Sequence, residues 1–283
     1  MPNLLIKDLR VISRGFSNDV KEWPNIPCPT CGRGNLTPAA DTFVYEEAEM
    51  SKQAQYDPES GWEPDWSYGG FHCILRCGRS TCDLVRVVGN MSVVEDLDER
   101  GRWYGKWLVR LTPTFFHPSL PLVQSHEAAP RPVLQRLEAG AAVVWVDPSS
   151  AANRLRSAAE ALLDDQGIPR RGHSSKGPYD IKLHQRIENF KKAKPEYSDA
   201  ADALLATKWI GNVGSHEDAL KISDVLDGAE MIDFALMEIY DTSREAVKKM
   251  AAEITARKGV PARKFQGAVS PGGEVSLFGQ QSG

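Results

Sequence analysis

No apolar run in this 283-residue chain approaches the ~18 residues that a membrane span needs, so no membrane partner is expected. The opening MPNLLIKDLR lacks a long apolar core followed by small residues, which argues against a secretory signal and makes the cytoplasm the expected compartment. Basic charge is not in excess either. With 34 Lys and Arg against 38 Asp and Glu, the net charge is -4, so any contact with nucleic acid needs a local patch. There is no glycine-rich phosphate loop, no H-E-x-x-H and no serine-triad motif, which removes three common chemistries. No repeat of fixed period occurs. Cysteine is scarce, at five residues, and in a reducing compartment these read as metal ligands rather than disulfides.

What is present describes a soluble globular chain: 41% apolar and 25% charged residues, and a length suited to two domains at roughly 150 residues each. The composition changes near residue 130. Residues 1–130 hold every cysteine and most of the tryptophans and prolines, with short apolar runs between turn residues. Residues 131–258 carry helical spacing, and 259–283 are rich in Gly, Ser and Gln, the composition of a flexible tail. The expected class is α+β: a small β-rich domain followed by an all-α bundle.

The cysteines form two knuckles. Cys28-Pro-Thr-Cys31-Gly is the first, and Cys77-Gly-Arg-Ser-Thr-Cys82 the second. Paired thiols at such spacing present two sulfurs to one tetrahedral ion, and glycine permits the tight turn. Four thiolates suit zinc and leave no open position, so the ion would be structural. This predicts a zinc ribbon with a long excursion between its halves. Cys73 lies four residues before Cys77 on a presumed strand and reads as a core thiol. Aromatic residues in the excursion 56–71 could stack on bases or pack the loop against the ribbon.

In the second half, helices are predicted over about 131–146, from Pro148 to Gly167, 180–193, 198–211, 216–239 and 243–257. The third is expected to bury Ile181, His184, Ile187 and Phe190 along one face. In KWIGNVGSHE, two glycines close a helix, and Ser215 with Asp218 offers a capping box for the next. His216 then falls in a first helical turn, and Lys208 and Asn212 share a face toward that junction. A cation, an amide and an imidazole at a helix start could hold a phosphodiester and move a proton. A hydrogen bond between His216 and Asn212 that only braces the turn is the plainer alternative.

The ribbon, the run RLRSAAEALL (Arg154 to Leu163) and KWIGNVGSHE together resemble the bacterial family called domain of unknown function 4145. That family is similar to the HEPN superfamily (higher eukaryotes and prokaryotes nucleotide-binding). The resemblance covers about 145–241, and the ribbon more loosely. It implies an HEPN-like helical domain that dimerises, and a place in bacterial defence or restriction-type systems with a partner protein there. Many HEPN domains are metal-independent endoribonucleases, some of them toxins. Their pattern is arginine, a polar residue, three residues and histidine. Asn212 and His216 match it, but Gly211 stands where the arginine would be. Lys208, one turn earlier, lacks arginine's bidentate reach; Arg154 or Arg156 could also supply a cation.

Residues 170–194 hold eight basic side chains against Asp180 and Glu188. Arg170, Arg171, Lys176, Lys182, Arg186, Lys191 and Lys192 are the candidate contacts to RNA or DNA by counterion release, the other reading being a solvated charged face. Arg170–Gly177 is expected to be a mobile loop. Near the C-terminus, Glu274-Val275-Ser276-Leu277-Phe278 resembles the short Q-L-x-L-F peptide that binds the replicative sliding clamp. Three functions follow as expectations: a nucleic-acid-binding accessory protein, an endoribonuclease using His216 with Asn212 and Lys208, or a protein-interaction adaptor.

Overall fold

The computed structural model describes residues 4–259 except 33, 58, 60, 80, 81, 99, 125–127, 214–219 and 242. Residues up to Asp241 form one compact unit, and a second begins at Thr242. The class is α+β, an antiparallel sheet with the cysteines followed by a helical region.

The sheet comprises β1 (Phe16–Ser17), β2 (Ile26–Pro27), β3 (Asn35–Pro38), β4 (Val44–Glu47), β5 (Tyr68–Cys77), β6 (Val85–Leu97) and β7 (Trp103–His117). Its order is β1-β7-β6-β5-β3-β2, and β4 shares an edge of β5 with β3. Period-two alternation sets its two faces. Phe71, Cys73 and Leu75 on β5, and Val85 and Val87 on β6, are buried. His72, Arg76, Arg86 and Val88, between them in sequence, are exposed on the opposite face. On the inner side Phe16 stacks on Trp23 at 4.3 Å between ring centroids, and Phe71 meets both edge-on. Phe71 thus packs inward, whereas Tyr56, Trp66 and Tyr68 of the excursion are exposed.

The helices are α1 (Leu4–Ile12), α2 (Glu49–Tyr56), α3 (Arg131–Val143), α4 (Pro148–Asp165), α5 (Leu183–Ala193), α6 (Ser198–Val213), α7 (Ile222–Tyr240) and, in the second unit, α8 (Ser243–Arg257). No described helix is long and apolar enough to cross a membrane. α4 is the helix that α3, α6 and α7 pack around. It starts as Asp147 accepts a hydrogen bond from the Ser150 amide at 2.9 Å, with Pro148 in the first turn. Ala151, Ala152, Leu155, Ala158, Ala159 and Leu162 are buried along it, and such small side chains let neighbours approach closely. Glycines on those neighbours meet α4: a Cβ at Gly140 would lie 3.3 Å from Arg154 Cβ, and one at Gly228 3.2 Å from Leu155 Cδ1. Replacing Gly228 with valine is therefore expected to overpack the α4–α7 contact and cost about 1–3 kcal/mol, read from a urea unfolding curve.

At helical spacing α6 buries Ala200, Ala203, Leu204 and Thr207. α5 differs from expectation: it buries Leu183, Arg186, Ile187 and Phe190, and His184 is exposed. The helix begins three residues later than 180 because β8 (Arg171–Ser174) and β9 (Gly177–Asp180) form a hairpin where a mobile loop was expected. Gly177, at φ +111°, makes its turn possible. α7 starts at Ile222, and the Lys221 amide donates to Asp224 at 2.8 Å, so its cap lies beyond the Ser215–Asp218 stretch. α1 carried no clear signal in the sequence, yet Ile6, Leu9 and Ile12 are buried, and Arg10 pairs with Asp227 at 2.6 Å and Glu230 at 2.8 Å on α7.

Candidate metal centre and a cationic corner on the helices

The pairing of β3 with β5 creates the cysteine cluster. Leu36 lies opposite Cys77, which brings the β2–β3 turn, carrying Cys28 and Cys31, against the β5–β6 turn, carrying Cys77 and Cys82. The four sulfurs lie within 4.8 Å of one another, and Cys31 Sγ and Cys77 Sγ are 3.9 Å apart. A tetrahedral ion with metal–sulfur bonds of about 2.3 Å needs sulfurs about 3.8 Å apart. The amide of Gly34 donates to Cys31 Sγ at 3.2 Å, and that of Arg79 donates to Cys77 Sγ at 3.5 Å. Gly34 is required here, because a Cβ on it would sit 2.5 Å from Cys77 Sγ and 3.1 Å from Cys31 Sγ.

Electrostatics points the same way. Desolvation, and then the neighbouring sulfurs of Cys31, Cys77 and Cys28, push the Cys82 thiol up to about 12. Four thiols packed so closely can all deprotonate only around a cation. The cluster is therefore compatible with one bound metal ion, closed by protein ligands. Cys73 stays apart from it: it is 2% exposed, its sulfur lies 3.8 Å from Thr42 Oγ1, and burial pushes its thiol up.

Most of the basic segment is spent on the protein itself. The Arg170 guanidinium pairs with Asp164, Arg171 with Asp180 at 3.1 Å, and Lys191 with Asp202 at 2.6 Å. Lys194 donates to Gln166 Oε1 at 2.7 Å. Arg186, expected on a nucleic-acid surface, is 3% exposed and donates to Asp164 Oδ1 at 2.7 Å and the Ile168 carbonyl at 2.8 Å. It fastens α5 to the end of α4. Lys176, Lys182 and Lys192 are exposed.

A second cationic site lies where α4 crosses the end of α6. Lys208 is only 9% exposed, and its Nζ sits 3.1 Å from the centroid of the Trp209 ring. Burial, and after it the charge of Arg156 on α4, holds its ammonium below the ordinary lysine range. No carboxylate among the described residues pairs with Lys208. Arg156 reaches Glu160 only at 3.7 Å. Trp209 is 55% exposed, its ring 6.4 Å from that of His184. Asn212 is half-buried on the same helix. His216 lies outside the described residues, as do Ser215 and Glu274 to Phe278. The sequence offered Arg156 as one possible source of a cation for this corner, but its approach to Lys208 is a tertiary contact with no local signal.

Gly211 explains one departure from the expected pattern. A Cβ there would lie 3.0 Å from Arg156 Cβ and 3.2 Å from the Ala152 carbonyl oxygen. An arginine at 211 has no room unless α4 and α6 move apart. Gly211→Arg is accordingly expected to destabilise the protein by about 1–3 kcal/mol in urea denaturation and to install no RNA-cleaving activity.

Comparison with the curated proteins gave no match, and neither did comparison with the solved structures. Two families do match, one on each part of the chain. Residues 16–116, which include all four clustered cysteines, match the Domain of unknown function (DUF8608), and residues 138–257, which include Arg156, Lys208 and Asn212, match the Domain of unknown function (DUF4145).

Proposed function

We propose that this protein is a nucleic-acid-associated accessory protein. In this reading a zinc-ribbon module, held by structural Zn2+ on Cys28, Cys31, Cys77 and Cys82, is joined to an HEPN-like helical domain that contacts RNA or DNA. The observation that carries it is the buried Lys208 beside Arg156. A buried ammonium beside a part-exposed guanidinium, with no acid pairing Lys208 among the described residues, is repelled at a net cost. A phosphate oxygen would relieve that repulsion, and the open face of Trp209 offers an adjacent stacking surface. Lys176, Lys182 and Lys192 add long-range attraction in a chain that is acidic overall. The resemblance to HEPN domains supports a dimer and a role beside a bacterial defence or restriction-type partner.

Fluorescence anisotropy with labelled RNA and DNA tests this directly. Lys208→Gln and Arg156→Gln are expected to weaken binding about equally across sequences, and each to lower the slope of log affinity against log salt by about one. Unchanged affinity and slope in both variants would remove the phosphate role of this corner. The same samples, incubated with RNA in EDTA, address the ribonuclease alternative. Cleavage that His216→Ala abolishes would replace binding with catalysis.

A further inference from the structure

The outer face of the sheet is a second surface suited to nucleic acid, and nothing assigned so far uses it. Register places Val44, His72, Val88 and Phe115 side by side across β4, β5, β6 and β7. The next row holds Ile74, Arg86 and His117. Alternation turns these residues away from the core. Val44 is 47%, Val88 41% and Phe115 42% exposed. The Phe115 and His117 rings stand with planes 3° apart and centroids 6.2 Å apart, so two flat π-faces rise together from one strand. Arg86 and, diagonally on β5, Arg76 are exposed, and no carboxylate among the described residues pairs with either. These two rows contain no acid at all.

Beside them, a shallow cleft of about 670 Å³ runs over Gly70 and between Val44, His72 and Val88. A Cβ on Gly70 would meet nothing closer than the Gly89 carbonyl at 3.6 Å, so the floor there is bare backbone. The far wall, from β4 into α2, carries Glu46, Glu47, Glu49 and Lys52, with Lys52 3.7 Å from both Glu46 and Glu49.

We infer that this face binds a single strand of nucleic acid, with bases laid over Phe115, His117 and Val88 and phosphates along Arg76 and Arg86. The inference rests on the nucleic-acid reading above and adds a separate site and a preference for unpaired strands. Stacking faces on an open sheet accept bases that are free of a duplex, and stacking is sequence-tolerant because every base has a π-face. Charge fixes the direction: the three glutamates repel a phosphate backbone, so it must lie on the arginine side. Cys77 ends the strand that carries Arg76, so the cysteine cluster also anchors that cationic edge.

The test uses the full chain, fluorescein-labelled 12-mers of oligo-U and oligo-dT, and a 12-base-pair duplex. Phe115→Ala is expected to weaken single-strand binding about tenfold and leave duplex binding unchanged, and Phe115→Trp to restore it. Arg86→Gln, a change at an exposed side chain that leaves the core intact, is expected to weaken single-strand binding several-fold and covers the case in which Phe115→Ala fails to fold. Stronger binding of oligo-U than of oligo-dT, or the reverse, identifies RNA or DNA as the ligand. If wild type binds single strands and neither variant changes that, this surface is overturned while the Lys208 reading stands. If wild type binds no nucleic acid, both fall. If Phe115→Ala instead splits a dimer in sedimentation analysis without affecting binding, the face is an interface between two copies and the inference is wrong.

Discussion

Cys77→Ser is expected to strip the protein of its metal and to lower its stability by at least about 3 kcal/mol. Structural zinc supplies apparent binding energies of about 10–16 kcal/mol to small fingers, which do not fold without it. Less is at stake here, because Leu36 and Leu75 beside the cluster are fully buried and belong to a core that persists. What the ion would hold is the meeting of two turns whose own links are few. β2 and β3 pair over two residues each, and β3 and β5 over three. Metal analysis should give one zinc per wild-type chain and none in Cys77→Ser or Cys28→Ser. Thermal unfolding followed by circular dichroism should fall alike in both variants and in wild type treated with a chelator. Cys73→Ala should keep its metal, since that sulfur stands outside the cluster. Wild type that carries no metal, or that keeps its melting curve when a chelator strips the metal, would dismiss a structural ion.

The second large effect is expected at Asp164. Its carboxylate receives Arg170 from the hairpin side and the buried Arg186 from α5. Asp164→Ala would leave Arg186 buried with only the Ile168 and Glu160 carbonyls as partners. Removing one member of such a pair and leaving the other charge buried costs about 3–5 kcal/mol, whereas Arg186→Met removes the buried charge itself and leaves the part-exposed Asp164 paired with Arg170, so it costs less. The expected order of urea midpoints is therefore wild type, then Arg186→Met, then Asp164→Ala lowest, with the double variant near Arg186→Met. The pH dependence has a definite sign. The hydrogen bond from Arg170, opposed by desolvation and aided by Arg186, holds the Asp164 carboxyl below the usual carboxylate range. A depressed pKa contributes stability that is fully present above the unfolded value of about 3.9 and is lost as pH falls through the folded value. Wild type should thus lose stability below about pH 4 more steeply than Asp164→Asn. Parallel acid curves for the two would mean the pair carries no net energy.

How far the sequence announced these features follows from the range of each interaction. The two cysteine knuckles were legible because each is a local spacing. The inward faces of α4 and α6 were legible because helical period is local too. The fate of the basic run was not. Arg186 lies 22 residues from Asp164, and only the packing of α5 on α4 turns a surface charge into a buried one. His184 looked apolar-facing by period; Ile187 and Phe190 do face inward, but Leu183 and Arg186 take the inward places expected for Ile181 and His184. The outer sheet rows were invisible because register, not composition, aligns His72, Val88 and Phe115. The corner at Lys208 was half legible. Its own helix was predicted and Arg156 was named as a possible cation, but only the packing of α4 on α6 puts the two charges together.

The clasp of α1 on α7 has a consequence for biosynthesis. Arg10 leaves the ribosome 217 residues before Asp227 and 220 before Glu230. The ion pairs that clasp α1 to α7 can therefore form only after the sheet and the helices α2 to α6 have been translated, although α1 also packs against β2. Until α7 follows, Arg10 lacks both of its acidic partners, so the seating of α1 is completed late in synthesis.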